Sequence, residues 1–188
     1  YADTIREMKM GSLQPKCLFC RHPTDKSIEE ARMKRIEAND PVSLRDMGDR
    51  CRDEKDYQSA VEYWTNAAAL GDAAAHYNLS ISYQQGLGVE KDKKKAVHHL
   101  EQAAIGGDPW ARHNLGCYER VDVRHDRAAK HWIIAAKLGY DDSLENVKKA
   151  YRDGFVGKKD LASALRGHQA AVDAMKSPHR EAAEVALR

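Results

Sequence analysis

The sequence predicts an all-α protein, a right-handed α-solenoid of about four helical hairpins, and three observations carry that expectation. First, a motif recurs from Asp40, Asp72, Asp108 and, more loosely, Tyr140, with starts 32, 36 and 32 residues apart. Periods of this length mark stacked helical hairpins, each burying its apolar face against its neighbours. Second, each copy sets a small residue four positions before a large one: Ser43 and Met47, Ala75 and Leu79, Ala111 and Leu115, Ser143 and Val147. That spacing puts both on one helical face, where the small residue admits a neighbouring helix and the large one fills the gap. Third, an Ala-rich chain with 32% charged residues and 7% aromatics suits stacked amphipathic helices better than a wide β core.

In chain order, residues 1–23 form a separate piece around Cys17 and Cys20. Two cysteines at this spacing supply half of a tetrahedral zinc site, and His22 is too close to provide the closing pair. The chain starts at Tyr1 rather than Met, so the expectation is a fragment with its N-terminus upstream. Within residues 24–39, Ser27 and Glu30 have capping-box spacing and predict a linker or capping helix from Ile28 to about Ala38.

The repeats occupy residues 40–175. Asp40 and Asp108 precede Pro41 and Pro109, which gives Asp at the N-cap and Pro at the first helical position. The second helices carry Ala60, Ala96, Ala128 and Ala164, followed four residues later by Trp64, Leu100, Trp132 and His168. Asp56, Asp92 and Asp160 stand where these helices need an N-cap; in the third copy Arg124 stands there, and the cap is expected to move to Asp126. Gly71, Gly107 and Gly139 are expected to close second helices in the left-handed conformation. The longer connector from Gln85 to Asp92 accounts for the wider spacing of the second copy. Ser177 and Pro178 open an expected C-terminal capping helix over 176–188.

The formal charge of +2 comes from 31 basic and 29 acidic residues, well mixed along the chain. This is no electrostatic footprint for nucleic acid or an anionic membrane, so neither is expected as a partner. No stretch approaches the ~20 apolar residues of a membrane span. No secretory signal is visible, and the cysteine placement fits a reduced setting, intracellular and cytoplasmic or nuclear. No Ser-His-Asp set, phosphate loop or carboxylate pair stands out, so a non-catalytic binding role is expected.

The candidate binding residues are Asn78, Asn114 and Asn146, which share one repeat position with Asp46. An amide ladder along a groove could grip a peptide backbone, although buried amides more often bond within their own protein. His113 and Cys117, and the neighbouring His98 and His99, do not supply four convergent metal ligands. Packing is expected for Cys117, Trp64 and Trp132, and solvent exposure for at least one of His98 and His99.

Over about residues 40–175 the chain resembles the Sel-one-like repeats, relatives of tetratricopeptide repeats. The second copy carries the likeness best, through Ala75, Leu79, Tyr83, Gly86, Gly88, Val89, Asp92, Lys95, Ala96, Ala103, Ala104 and Gly106. This resemblance implies a scaffold or adaptor that binds a partner protein or peptide on its groove. Residues 1–23 resemble the last third of a RING-type zinc finger, with Leu18 where such ligases commonly have Pro. That second resemblance implies zinc held by Cys17 and Cys20 with ligands upstream of Tyr1. It also implies that Arg21 contacts a ubiquitin-conjugating enzyme and ubiquitin. Two functions follow: a non-catalytic adaptor in this fragment, or a RING-type ubiquitin ligase at full length, whose repeats select substrate.

Overall fold

The computed structural model describes residues 25–175, which fold entirely into helices and their connections. Nine helices occur among the described residues: α1 (Asp25–Glu37), α2 (Pro41–Asp53), α3 (Tyr57–Ala69), α4 (Ala73–Gln85), α5 (Lys93–Ile105), α6 (Pro109–Val121), α7 (His125–Lys137), α8 (Asp141–Arg152) and α9 (Lys158–Met175). Helices α2 to α9 pair in sequence as four hairpins, and each hairpin packs on the next, so the chain forms an α-solenoid. None of the described helices is long and apolar enough to cross a membrane.

Side-chain caps start most of these helices. Asp40, Asp56, Asp72, Asp92 and Asp108 each accept a hydrogen bond from a backbone N–H in the first turn that follows. The helix ends follow one rule too. After α3, α5 and α7, Gly71, Gly107 and Gly139 take φ of +89, +90 and +92°. The next residue's N–H then reaches back to a carbonyl in the last turn: Asp72 to Ala67, Asp108 to Ala103 and Tyr140 to Ala135. Lys55 and Val123 make the equivalent left-handed turns after α2 and α6 without being glycine.

The small–large pairing packs as expected. Ser43, Ala75, Ala111 and Ser143 are buried, as are Leu79, Leu115 and Val147, with Met47 half-buried. Trp64 and Trp132 are core residues at 3% and 4% exposure. Each indole lies against a glycine of the preceding helix: a Cβ on Gly48 or Gly116 would sit 2.5 Å from the Trp64 or Trp132 Nε1. Buried apolar clusters therefore run through all four hairpins.

Three expectations need correction. Helix α1 begins at Asp25, so Ser27 lies within its first turn rather than at its cap. Helix α7 begins at His125 with Arg124 at the N-cap and no side-chain cap; Asp126 is already helical. The backbone turn, through the Arg124 N–H to the Glu119 carbonyl, fixes that start without help from a carboxylate. Asp160 is likewise inside α9, because the chain turns helical after Gly157, whose carbonyl accepts from the Asp160 and Leu161 N–H groups. His168, at the repeat position of Trp64, Leu100 and Trp132, is half-buried and its Nε2 meets the Asp141 Oδ1 at 2.7 Å. The capping helix expected over 176–188 lies outside the described residues.

Candidate functional site

Of the first helices of the hairpins, α4, α6 and α8 carry the three asparagines, all half-buried, and α2 carries the exposed Asp46 at that position. Each asparagine faces a joint between hairpins, and the joints differ in chemistry. At the first, the Asn78 Nδ2 donates to the Asp49 Oδ1 at 3.0 Å. Arg52 pairs with that carboxylate at 3.3 Å and stacks its guanidinium over Trp64, 5.9 Å from the ring centroid. Burial raises the Asp49 carboxyl, with Arg52 and the nearby Trp64 N–H acting against it. That N–H closes no hydrogen bond of its own. Arg45 adds a second tie, to Asp72 at 3.0 Å.

At the second joint the Asn114 Nδ2 reaches the Tyr77 hydroxyl at 3.5 Å, a long and weak contact. At the third, Asn146 makes no hydrogen bond within the described residues and instead lines a cavity of about 200 Å³ with Arg120, His125, Trp132, Lys149 and Asp153. Phe155 closes one wall, its ring stacked on His125 with centroids 4.3 Å apart.

An aromatic patch spans the starts of α6 and α8. Trp110 is 51% exposed. Its ring lies 6.5 Å from that of Tyr77 and 6.0 Å from that of Tyr140. His113 leans edge-on against Tyr140 and its Nδ1 contacts the Ser143 hydroxyl at 2.8 Å, so neighbouring hairpins share this surface. The repeat pattern hid Trp110 behind Pro109, because a residue just after an N-cap carries no core periodicity.

His98 is exposed, whereas His99 is half-buried, stacked on Tyr83 and within hydrogen-bonding distance of His76. Cys117 is half-buried, 3.6 Å from the His113 Nε2, and burial raises its thiol. No group of three or more His, Cys, Asp or Glu among the described residues is placed to hold a metal ion. Cys17, Cys20 and Arg21 lie outside the described residues.

Stacked hairpins with a polar and aromatic face define an α-solenoid of the kind that presents an extended surface. The sequence profile of the Sel1 repeat matches residues 46–72, 73–108 and 111–140, so the chain carries three Sel1 repeats, with α8 and α9 adding a fourth hairpin. No curated protein matches the chain. Among solved structures, a Sel1 repeat protein from Oxalobacter formigenes is similar at 29% identity and a TM-score of 0.65; the match covers 79% of this chain and 64% of that one. A protective antigen of uropathogenic Escherichia coli displaying an SLR fold shares the architecture at 23% identity and a TM-score of 0.61, over 89% of this chain and 37% of that one. An immunity protein from Pseudomonas aeruginosa does so at 18% identity and a TM-score of 0.58, over 80% and 62%.

Proposed function

We propose that the repeats bind a protein or peptide on the face built by α2, α4, α6 and α8, and that the chain acts there as a scaffold or adaptor. Sel1 repeat proteins generally act as protein-interaction scaffolds. The observation that carries the reading is Trp110, half out of the core and flanked by Tyr77 and Tyr140 from the neighbouring hairpins. Exposed Trp and Tyr are the residues that dominate binding energy at interfaces. Asn78, Asn114 and Asn146 lie on α4, α6 and α8, and an amide with two donors and an acceptor keeps capacity beyond the single internal bond that Asn78 and Asn114 each make.

The test is comparative capture. Proteins retained from a lysate by the chain are quantified against those retained by a folded Trp110→Ala variant. Loss of a defined set with the variant supports the reading, and an unchanged set refutes it. Replacing all three asparagines with Ala isolates the ladder. Weakened folding with capture intact would remove those residues from the binding surface.

A second reading concerns the full-length chain, a RING-type ubiquitin ligase whose repeats select substrate. The spacing of Cys17 and Cys20, which would hold zinc with upstream ligands, supports it, together with Arg21 as the contact for conjugating enzyme and ubiquitin. Autoubiquitination that vanishes in a Cys17→Ala/Cys20→Ala variant would establish it. Absence of activity with every conjugating enzyme would leave the adaptor alone.

A further inference from the structure

The first and third hairpins share a glycine, an indole and an arginine at one joint, and differ at the residue that follows the glycine, among others. Both set a glycine against an indole, Gly48 on Trp64 and Gly116 on Trp132. Both lay a guanidinium over that indole, Arg52 at 5.9 Å and Arg120 at 5.8 Å. Both receive an asparagine from the following hairpin, Asn78 and Asn146, at the same repeat position. Between glycine and arginine the first hairpin has Asp49, whose carboxylate serves Arg52 and Asn78 together. The third hairpin has Cys117 at that position. A thiol raised by burial offers no charge there, and its sulfur is engaged with His113. Among the described residues Arg120 has no ion pair and the Asn146 side chain has no hydrogen bond, and both line the cavity of about 200 Å³.

We propose that this cavity binds a carboxylate group, which takes up there the role that Asp49 plays at the first joint. Arg120 and Lys149 supply positive charge and Asn146 an amide donor, the set that a carboxylate's two oxygens accept. Asp153 stands exposed on the cavity lining and pairs with neither cation within ion-pair distance. The nearby Arg124 and Arg127 are committed to Glu119, at 2.5 and 3.0 Å, and do not compete. Two sources share this chemistry, an acidic side chain and a free C-terminus. The inference rests on the scaffold reading only for the source of the group, since a short carboxylate-bearing peptide tests the cavity by itself.

The experiment is a titration of the isotope-labelled chain, read at the side-chain N–H signals of Asn146 and Trp132. Three Gly-Ser peptides are used: one with a free C-terminus, one amidated with a single central Glu, and one amidated without Glu. Saturable shifts at Asn146 and Trp132 with either of the first two support the proposal and name the source. The third peptide should cause none. Asn78 and Trp64 should stay unmoved, because Asp49 already fills their joint. Arg120→Gln, a change at an exposed residue, should weaken binding about tenfold. Cys117→Asp should abolish it by supplying the carboxylate from within. No shift with either carboxylate peptide, equal shifts at both joints, or unaltered binding by Arg120→Gln would overturn the proposal. Failure of Trp110→Ala to change partner capture would refute the scaffold reading and leave this result standing.

Discussion

His76 and His99 meet ring nitrogen to ring nitrogen, their Nδ1 atoms 3.0 Å apart across the second hairpin. One must donate while the other accepts, so the contact exists only while at least one ring is neutral. Burial, and then the neighbouring His76, His98 and Lys95, hold His99 down to about 4, below its ordinary 6.5. Burial followed by His98 lowers His76, and burial is also the main cause at His113 and His131. As pH falls from 6.5 toward about 4, the unfolded chain takes up protons that the native rings refuse, and stability falls. The contribution is complete above pH 6.5, and its loss at His99 levels off below about 4. For His99 alone, discounted for solvent, the loss is on the order of 2 kcal/mol. Urea midpoints at pH 7.5 and pH 5 measure it, and His99→Gln should flatten the difference.

Gly48→Ala and Gly116→Ala invert the usual helix rule. Alanine ordinarily stabilises a helix interior by about 0.5–1 kcal/mol over glycine. Here the added Cβ would lie 2.5 Å from a buried indole nitrogen, and overpacking should destabilise by about 1–3 kcal/mol. Denaturant unfolding of either variant decides the sign.

Gly88→Ala and Gly71→Ala separate two penalties. Both residues have positive φ, +71 and +89°, but nothing lies within 4 Å of a Cβ on Gly71. A Cβ on Gly88 would meet the Tyr57 carbonyl oxygen at 2.2 Å, backbone that cannot swing aside. We expect about 1 kcal/mol for Gly71→Ala from conformation alone, and about 3 kcal/mol for Gly88→Ala. Similar losses in thermal melts would contradict this packing of the connector on α3.

Val123→Gly should stabilise the chain. Val123 holds φ +61°, where a β-branched residue is strained, and it is 72% exposed, so little packing is lost. The gain should be about 1 kcal/mol, with Lys55→Gly, at φ +67°, gaining less. A fall in melting temperature for Val123→Gly would show that its side chain contributes more than the turn costs.

The repeat was legible because its signals are local. Asp40, Asp72 and Asp108 mark helix starts, and Gly71, Gly107 and Gly139 mark ends, within a few residues of the backbone they govern. Expectations failed where a turn decided without a side chain, as at Arg124 and after Gly157. The candidate site was harder to read. Periodicity puts Asn78, Asn114 and Asn146 on one helix face, but their partners depend on residues 29 or 37 positions earlier, or on none. The same limit hid the meeting of His76 with His99, 23 positions apart.

The three seams between hairpins hold different groups at the asparagine: the carboxylate of Asp49, the phenol of Tyr77, and an open cavity lined by Arg120 and Trp132. The group that meets the asparagine belongs to the preceding hairpin, and the asparagine recurs in the second, third and fourth hairpins, so a copied second or third hairpin would rebuild its own seam. Repeat arrays lengthen most readily by copying a unit in place. In this chain a copied first hairpin is the exception, because Asp46 at the asparagine position would set a second carboxylate against Asp49.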